Sequence, residues 1–137
     1  MKPSAKLIAL VFAGGSAGTL ARYGVGLATN WAVAVVVVNL LGAAFLGAVN
    51  GFASIKGNHF STDGARAFWG AGFAGGFTTM SGLAGAFVLL NFVGQPLISA
   101  LFIVGQLVLG VLLYFAAHKI AAGAATTTSS ANEGVAK

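Results

Sequence analysis

The stretch GFAGGFTTMSG, residues 72–82, places two adjacent glycines and two adjacent threonines inside a long apolar segment. Glycine weakens a helix by about 1 kcal/mol relative to alanine, so this stretch predicts a break in the helix. Within a bilayer, non-helical backbone is tolerated only where it is buried in protein or lines a cavity. Carbonyls freed by such a break can hold a cation. The stretch therefore predicts a site at the middle of a spanning helix.

The composition places the rest of the chain in lipid. Of 137 residues, 58% are hydrophobic and only 7% are charged, whereas an ordinary soluble domain is about 25% charged. There is no cysteine, which excludes disulfides and thiolate chemistry. The net charge of +5 does not favour nucleic acid, because the basic residues are scattered between apolar runs. The two histidines have no nucleophile or carboxylate beside them in the sequence, so no enzyme is predicted.

A spanning helix needs about 20 apolar residues, and four segments qualify: 6–27, 31–52, 67–93 and 97–117. They predict an all-α membrane protein in which residues 1–120 form one four-helix unit. Residues 121–137 are small and polar, and are predicted to be a disordered tail. The N-terminus also has features of a secretory signal peptide. The apolar run continues to Leu27, however, and this favours a first span.

The basic residues are distributed unequally between the two sides of the predicted bundle. With four spans, the N-terminus, the loop 53–66 and the tail share one side. That side carries Lys2, Lys6, Lys56, Arg66, Lys119 and Lys137, and the other carries only Arg22. The positive-inside rule then places both termini in the cytoplasm of a multi-pass protein in the cell inner (plasma) membrane.

Small residues recur at helical spacing in three of the four spans. The pairs are Gly14/Gly18, Gly47/Gly51 and Gly72/Gly76, each of the GxxxG type. In lipid, small residues allow helix backbones to approach closely. The pairs predict a compact bundle of helices.

Polar residues inside spans point to a solute, although hydrogen bonds between helices are the alternative explanation. Asn39 and Asn50 fall on nearly one face of the second span. A second stripe in the fourth span comprises Gln95, Ser99, Gln106 and Gly110. The spans contain no Asp or Glu, which cation and proton pathways usually place there. The residues favour an anion or a neutral polar solute.

Three stretches in order give the chain a family resemblance. GFAGGFTTMSG resembles the GxxGGxTTFSTF signature of the Fluc (CrcB-type) fluoride-channel family. GGSAGTLARY, residues 14–23, is similar to the family's GGxxGAxxRY, and VNLLGAAFLG, residues 38–47, is similar to its VNxxGxFxxG. The length and the four-span layout agree as well, so the resemblance covers about residues 10–117.

The resemblance implies a passive fluoride exporter built as an antiparallel, dual-topology type of dimer. It implies a structural Na⁺ at the dimer interface, held by the backbone carbonyls of Gly75 and Thr78. Arg22 would lie near the aqueous end of the ion path. By position in the motifs, the ion path would comprise Asn39, Thr79, Ser81, Met80, Leu83 and Arg22.

The chain departs from the family pattern at the two phenylalanines of TTFSTF. Met80 and Leu83 stand in their places, and Gly82 replaces the last threonine. Neither side chain has the electropositive ring edge that can face an anion. Together with the unequal charge distribution, this favours a heterodimer with a paralogous partner over a homodimer.

Two other functions compete with that hypothesis. One is a non-conducting structural or regulatory membrane subunit that pairs with a channel-forming paralogue. The other is a small multidrug exporter, which depends on a carboxylate in its first span, and this chain has none there.

Overall fold

The computed structural model describes residues 4–55 and 57–135, with side chains as far as residue 124. Its long helices are α1 (Ala5–Ala28), α2 (Trp31–Ala53), α3 (residues 63–77), α4 (Met80–Phe92) and α5 (Pro96–Val135). A short 3₁₀ turn, His59–Ser61, lies in the loop before α3. Among the described residues, four helical stretches are long and apolar enough to span a membrane: Ala5–Ala28, Trp31–Ala53, Asp63–Phe92 and Pro96–Ala124. The predicted four-span, all-α architecture is confirmed.

Polar caps fix where the first two helices begin. The Ser4 hydroxyl accepts a hydrogen bond from the Leu7 amide at 3.3 Å. The Asn30 side chain accepts one from the Val33 amide at 3.0 Å. Such caps satisfy amides that have no partner inside the helix. Asn30 therefore starts α2 after a link of only two residues, 29 and 30.

The third span is interrupted, as predicted, but the interruption follows the glycine pair. Gly75–Phe77 is still helical, whereas Thr78 (φ −77°, ψ 160°) and Thr79 (φ −142°, ψ 110°) are extended. The sequence also gave no sign that Arg66–Ala74 is wound as a π-helix. α3 and α4 therefore form one bent span, Asp63–Phe92, joined by two extended threonines.

Glycines bring α1 and α3 into backbone contact. A Cβ added at Gly14 would collide with the Phe68 carbonyl, and one at Gly18 with the Phe73 carbonyl. From the other side, a Cβ at Gly76 would collide with the Gly15 carbonyl. The close packing predicted from the GxxxG pairs is confirmed on this pair of helices. It holds α3 in position immediately before the break.

Close backbone contact at glycines also joins α2 to α5. A Cβ at Gly47 would collide with the Tyr114 carbonyl, and one at Gly51 would lie 2.5 Å from the His118 carbonyl. Asn50 Nδ2 donates to the Tyr114 hydroxyl at 3.1 Å in the same contact. The structure therefore supports a hydrogen bond between helices as the role of Asn50.

α5 continues well past the predicted end of the fourth span. Its backbone is helical to Val135, whereas the sequence predicted a disordered tail over 121–137. Alanine has the highest helix propensity and is abundant between residues 121 and 131, which favours a helical backbone there. Residues 136 and 137 lie outside the described residues.

Candidate functional site

Asn39 of α2 binds both backbone polar groups of Thr79. Its Nδ2 donates to the Thr79 carbonyl at 3.1 Å, and its Oδ1 accepts from the Thr79 amide at 2.7 Å. A helix interruption leaves backbone groups without their usual partners, and leaving them unpaired in lipid is costly. The side-chain amide of Asn39 has the donor and the acceptor required. Asn39 therefore replaces the helical hydrogen bonds that Thr79 lacks.

Arg22 of α1 reaches the other residue of the break. Its Nη1 donates to the Thr78 carbonyl at 3.0 Å, in a partly buried contact. The resemblance placed Arg22 near the aqueous end of the ion path. In the structure its side chain extends from α1 to Thr78, in the extended link of the third span, because α1 packs closely against α3.

The two threonine side chains complete the break. Thr78 Oγ1 donates to the Ala74 carbonyl at 3.0 Å. Thr79 Oγ1 accepts from the Gly82 amide at 3.0 Å and so caps α4. The same hydroxyl lies 3.2 Å from Ser81 Oγ. Thr78 therefore ends α3 and Thr79 begins α4, which explains why the bend lies at these residues and not at the glycines.

A cavity of about 370 Å³, here called the Gln106 cavity, opens beside the break. Its lining includes Asn39, Thr79, Met80, Leu83 and Gln106. Gln106 is 8% exposed, and its Nε2 is buried with no hydrogen-bond partner among the described residues. A buried unpaired donor is unfavourable, so this amide is available to a bound acceptor.

A second cavity of about 350 Å³, here called the Arg22 cavity, lies on the α1 side of the break. Arg22, Trp31, Thr79 and Ser81 are among its lining residues. Thr79 lines both cavities. The six residues expected along the ion path therefore divide around one bent backbone: Asn39, Met80 and Leu83 on one side, Arg22 and Ser81 on the other, and Thr79 between them.

The carbonyls of Gly75 and Thr78 differ in their suitability for Na⁺. In a continuous helix the Thr79 amide would donate to the Gly75 carbonyl, but here it donates to Asn39 Oδ1 instead. Gly75 is exposed, with no atom within 4 Å of an added Cβ, so its surroundings have room for a partner. The Thr78 carbonyl already accepts from Arg22. A carbonyl oxygen has two lone pairs, so both residues retain oxygen ligands of the kind that hard cations bind.

The two positions that depart from the family pattern are differently placed. Met80 is 72% exposed and Leu83 is 3% exposed. Both residues line the Gln106 cavity, where Met80 is largely exposed and Leu83 is buried in the wall.

The polar stripe predicted on the fourth span is divided in the structure. Gln106 lines a cavity, but Ser99 is fully buried elsewhere. The Ser99 hydroxyl donates to the Phe87 carbonyl at 3.0 Å and accepts from Asn91 at 2.7 Å. Ser99 thus ties α5 to α4, whereas Gln106 belongs to the site.

Comparison with protein families gives one match over most of the chain. The family described as CrcB-like protein, Camphor Resistance (CrcB), matches residues 9–118. That range begins near the start of α1 and extends through the apolar part of α5, so it contains the break and both cavities.

Curated relatives give the same result. The chain is 34% identical to fluoride-specific ion channel FluC 2 of Bacillus subtilis, over 78% of this chain and 81% of the relative. It is 37% identical to fluoride-specific ion channel FluC 1 of Natronomonas pharaonis, over 88% of this chain and 96% of the relative. It is 36% identical to fluoride-specific ion channel FluC of Chlorobaculum tepidum, over 85% and 94%. No solved structure matches the chain significantly.

Proposed function

Because the chain belongs to the CrcB-like family of fluoride-specific ion channels, we propose that it is a subunit of a passive channel exporting cytoplasmic fluoride. The chain is a multi-pass membrane protein and not an enzyme. Fluoride enters cells as neutral HF and is trapped as the anion where the pH is near neutral. A channel selective for fluoride lets the trapped anion leave the cell passively, without an energy source.

One observation carries this function. The Gln106 cavity brings together an unpaired, buried amide donor and Asn39 beside the break, with no acidic side chain in its lining. A nitrogen–hydrogen donor that lacks a protein acceptor, as Gln106 Nε2 does, suits a small anion. A carboxylate, which cation paths usually contain, would repel that anion. The site therefore supports passage of an anion better than that of a cation.

We propose that the path uses the six residues around the break. Asn39, Thr79, Met80 and Leu83 would line it on the Gln106 side, and Arg22 and Ser81 on the other. The carbonyls of Gly75 and Thr78 would hold a structural Na⁺ shared with an antiparallel second subunit. Both termini would lie in the cytoplasm, as the unequal distribution of Lys and Arg predicts.

The second subunit is proposed to be a paralogue rather than an identical copy. A homodimer of inverted copies requires a chain that inserts both ways, and six basic residues against one favour a single orientation. The exposed Met80 and the buried Leu83 replace the two signature phenylalanines. The partner would then carry the opposite charge distribution and both rings.

The test is fluoride efflux from liposomes, followed with a fluoride electrode. The chain is reconstituted alone, together with a FluC-type chain of opposite charge distribution, and compared with that partner alone. We expect little efflux from the chain alone and more from the pair than from the partner. Robust efflux from the chain alone would refute the need for a paralogue.

The alternative function, a non-conducting structural or regulatory subunit, is distinguished by the same experiment. Leu83, buried in the cavity wall, favours it, since an aliphatic side chain there offers an anion no favourable contact. In that case the pair would assemble, as shown by co-purification, but would transport fluoride no faster than the partner alone.

A further inference from the structure

His118 of α5 and Ser54, the residue that follows α2, meet one helical turn beyond the Gln106 cavity. Tyr114 is one of the last residues of α5 that line this cavity, and its ring lies 6.2 Å from the His118 ring, centroid to centroid. His118 Nε2 lies 3.4 Å from Ser54 Oγ in an exposed contact. The proposed orientation places this end of the bundle in the cytoplasm. His118 therefore lies at the cytoplasmic end of the cavity, within reach of water.

The hydrogen bonds of Ser54 determine which ring nitrogen of His118 carries the proton. A hydroxyl has one proton to donate, and Ser54 Oγ donates it to the Asn50 carbonyl at 2.9 Å. Ser54 Oγ therefore accepts from His118 Nε2, so the neutral ring carries its proton on Nε2 and takes a second one on Nδ1. Protonation of Nδ1 leaves the Nε2 donor in place. The contact is thus compatible with both charge states of the ring.

The helices that pack against α5 do not supply a charge that would cancel one on His118. These helices are α2 and α4, and neither contains an acidic or a basic residue. On α5 itself, Tyr114 and the exposed Lys119 flank His118. The two acidic residues of the chain are Asp63, which begins α3, and Glu133, fifteen positions after His118. A proton on His118 therefore adds positive charge at the cytoplasmic end of the cavity.

We infer that His118 is a proton-responsive cation at the mouth of the Gln106 cavity, which draws fluoride in when the cytoplasm is acidic. Histidine is the side chain that ordinarily changes charge between about pH 5 and 8. Positive charge at the mouth of a cleft raises the local concentration of anions. HF that enters a cell releases a proton and a fluoride ion together, so the charge appears when fluoride accumulates. The inference rests on the proposed function in taking fluoride as the anion of this cavity.

The test is the fluoride current through the purified pair of this chain and its FluC-type partner in a voltage-clamped planar bilayer. Neutral HF carries no current, so its leak through the lipid does not enter the measurement. The pH is lowered on both sides together from about 8 to about 5.5, which makes the orientation of the pair irrelevant. We expect the wild-type current to rise about threefold to tenfold, because one charge gives the low end of the effect of a charge-lined cleft.

Three variants of this chain make the result specific to His118. His118→Gln keeps an N–H donor for Ser54 but takes no proton, and its current should stay near the wild-type level of about pH 8. His118→Arg is permanently charged, and its current should stay high at every pH. His59→Gln removes the exposed histidine of the 3₁₀ turn and should follow the wild type. A wild-type current that is independent of pH, or a His118→Gln current that rises equally, would overturn the inference.

A second measurement decides the inference if the pair carries no fluoride current at any pH, a result that counts against the proposed function. The chain is unfolded by heat in detergent, in NaF and in NaCl at equal ionic strength. A bound ion stabilises the state that holds it. NaF should therefore raise the wild-type midpoint more at about pH 5.5 than at about pH 8, and equally at both in His118→Gln. Equal rises at the two pH values in the wild type would contradict the inference.

Discussion

Asn39 and Thr79, forty residues apart in sequence, exchange two hydrogen bonds of 2.7 and 3.1 Å between one side chain and one backbone. The pair of bonds resembles the two hydrogen bonds that opposite residues of neighbouring strands exchange. It fixes the position of the break in the third span. A break made only by weak helix formers would be free to move along the span. The side chain from α2 confines it to one residue.

Asn39→Ala removes both bonds and leaves the amide and carbonyl of Thr79 unpaired. We expect a loss of roughly 1–3 kcal/mol in the free energy of unfolding, because buried polar groups lose their partners. Fluoride efflux from the assembled pair should fall as well. Unfolding in detergent and efflux from liposomes measure the two effects.

Asn50→Ala is the matched control for Asn39→Ala. It removes one partly buried amide from the same helix, and with it the bond to the Tyr114 hydroxyl, but it leaves both bonds between Asn39 and Thr79 in place. It should reduce stability and leave efflux near the level of the wild type. An equal loss of efflux in both variants would mean that the effect of Asn39 is one of stability alone.

The contact of α1 with α3 gives a second prediction. In Gly18→Ala the new methyl group would meet the Phe73 carbonyl and lie 2.8 Å from the Phe77 amide nitrogen. Both are backbone atoms, so the helices must separate, and overpacking of this kind costs about 1–3 kcal/mol. Thermal unfolding should show a lower midpoint.

Gly24→Ala tests the same change further along α1. Gly24 is exposed and has no atom within 4 Å of an added Cβ, so the variant should be neutral or slightly stabilised, by up to about 1 kcal/mol. If the two alanine variants unfold alike, the close contact between the helices does not stabilise the fold.

The departures from the family signature give a third prediction. Met80→Phe combined with Leu83→Phe restores two ring edges beside the Gln106 cavity, where an anion can contact them. Met80 is exposed, so a ring is accommodated there, while Leu83 borders a cavity that can accept added volume. We expect the double variant to raise fluoride efflux from the assembled pair. Met80→Leu with Leu83→Ile, which adds no ring, should not.

The sequence predicted the spans and the site region because both depend on local composition. Apolar length identified the four spanning helices, and glycine spacing identified the contacts that Gly14 and Gly18 make. Low helix propensity identified the stretch that contains the break. Each of these signals can be read within one turn or one span.

The position of the break could not be read in this way. Low helix propensity marked the whole stretch 75–79, in which Gly75 and Gly76 remain helical. The bend lies at Thr78 and Thr79, whose side-chain partners are 56 and 40 residues away. The contact of Arg22 with Thr78 could not be read from the sequence either, because the two residues are 56 positions apart. Long-range hydrogen bonds of this kind have no signature in a single sequence.

Gln106 gives the last prediction, in which stability and function change in opposite directions. Its Nε2 is buried without a partner among the described residues, so replacing it with an apolar side chain removes an unfavourable group. Gln106→Leu should keep or raise the unfolding midpoint while it lowers fluoride efflux from the assembled pair, because the cavity loses a donor. Gln95→Leu, the same change at an exposed residue of the α4–α5 turn, should alter neither. A variant at Gln106 that is destabilised, or that transports fluoride as fast as the wild type, would show that this amide is not held unpaired for the ion.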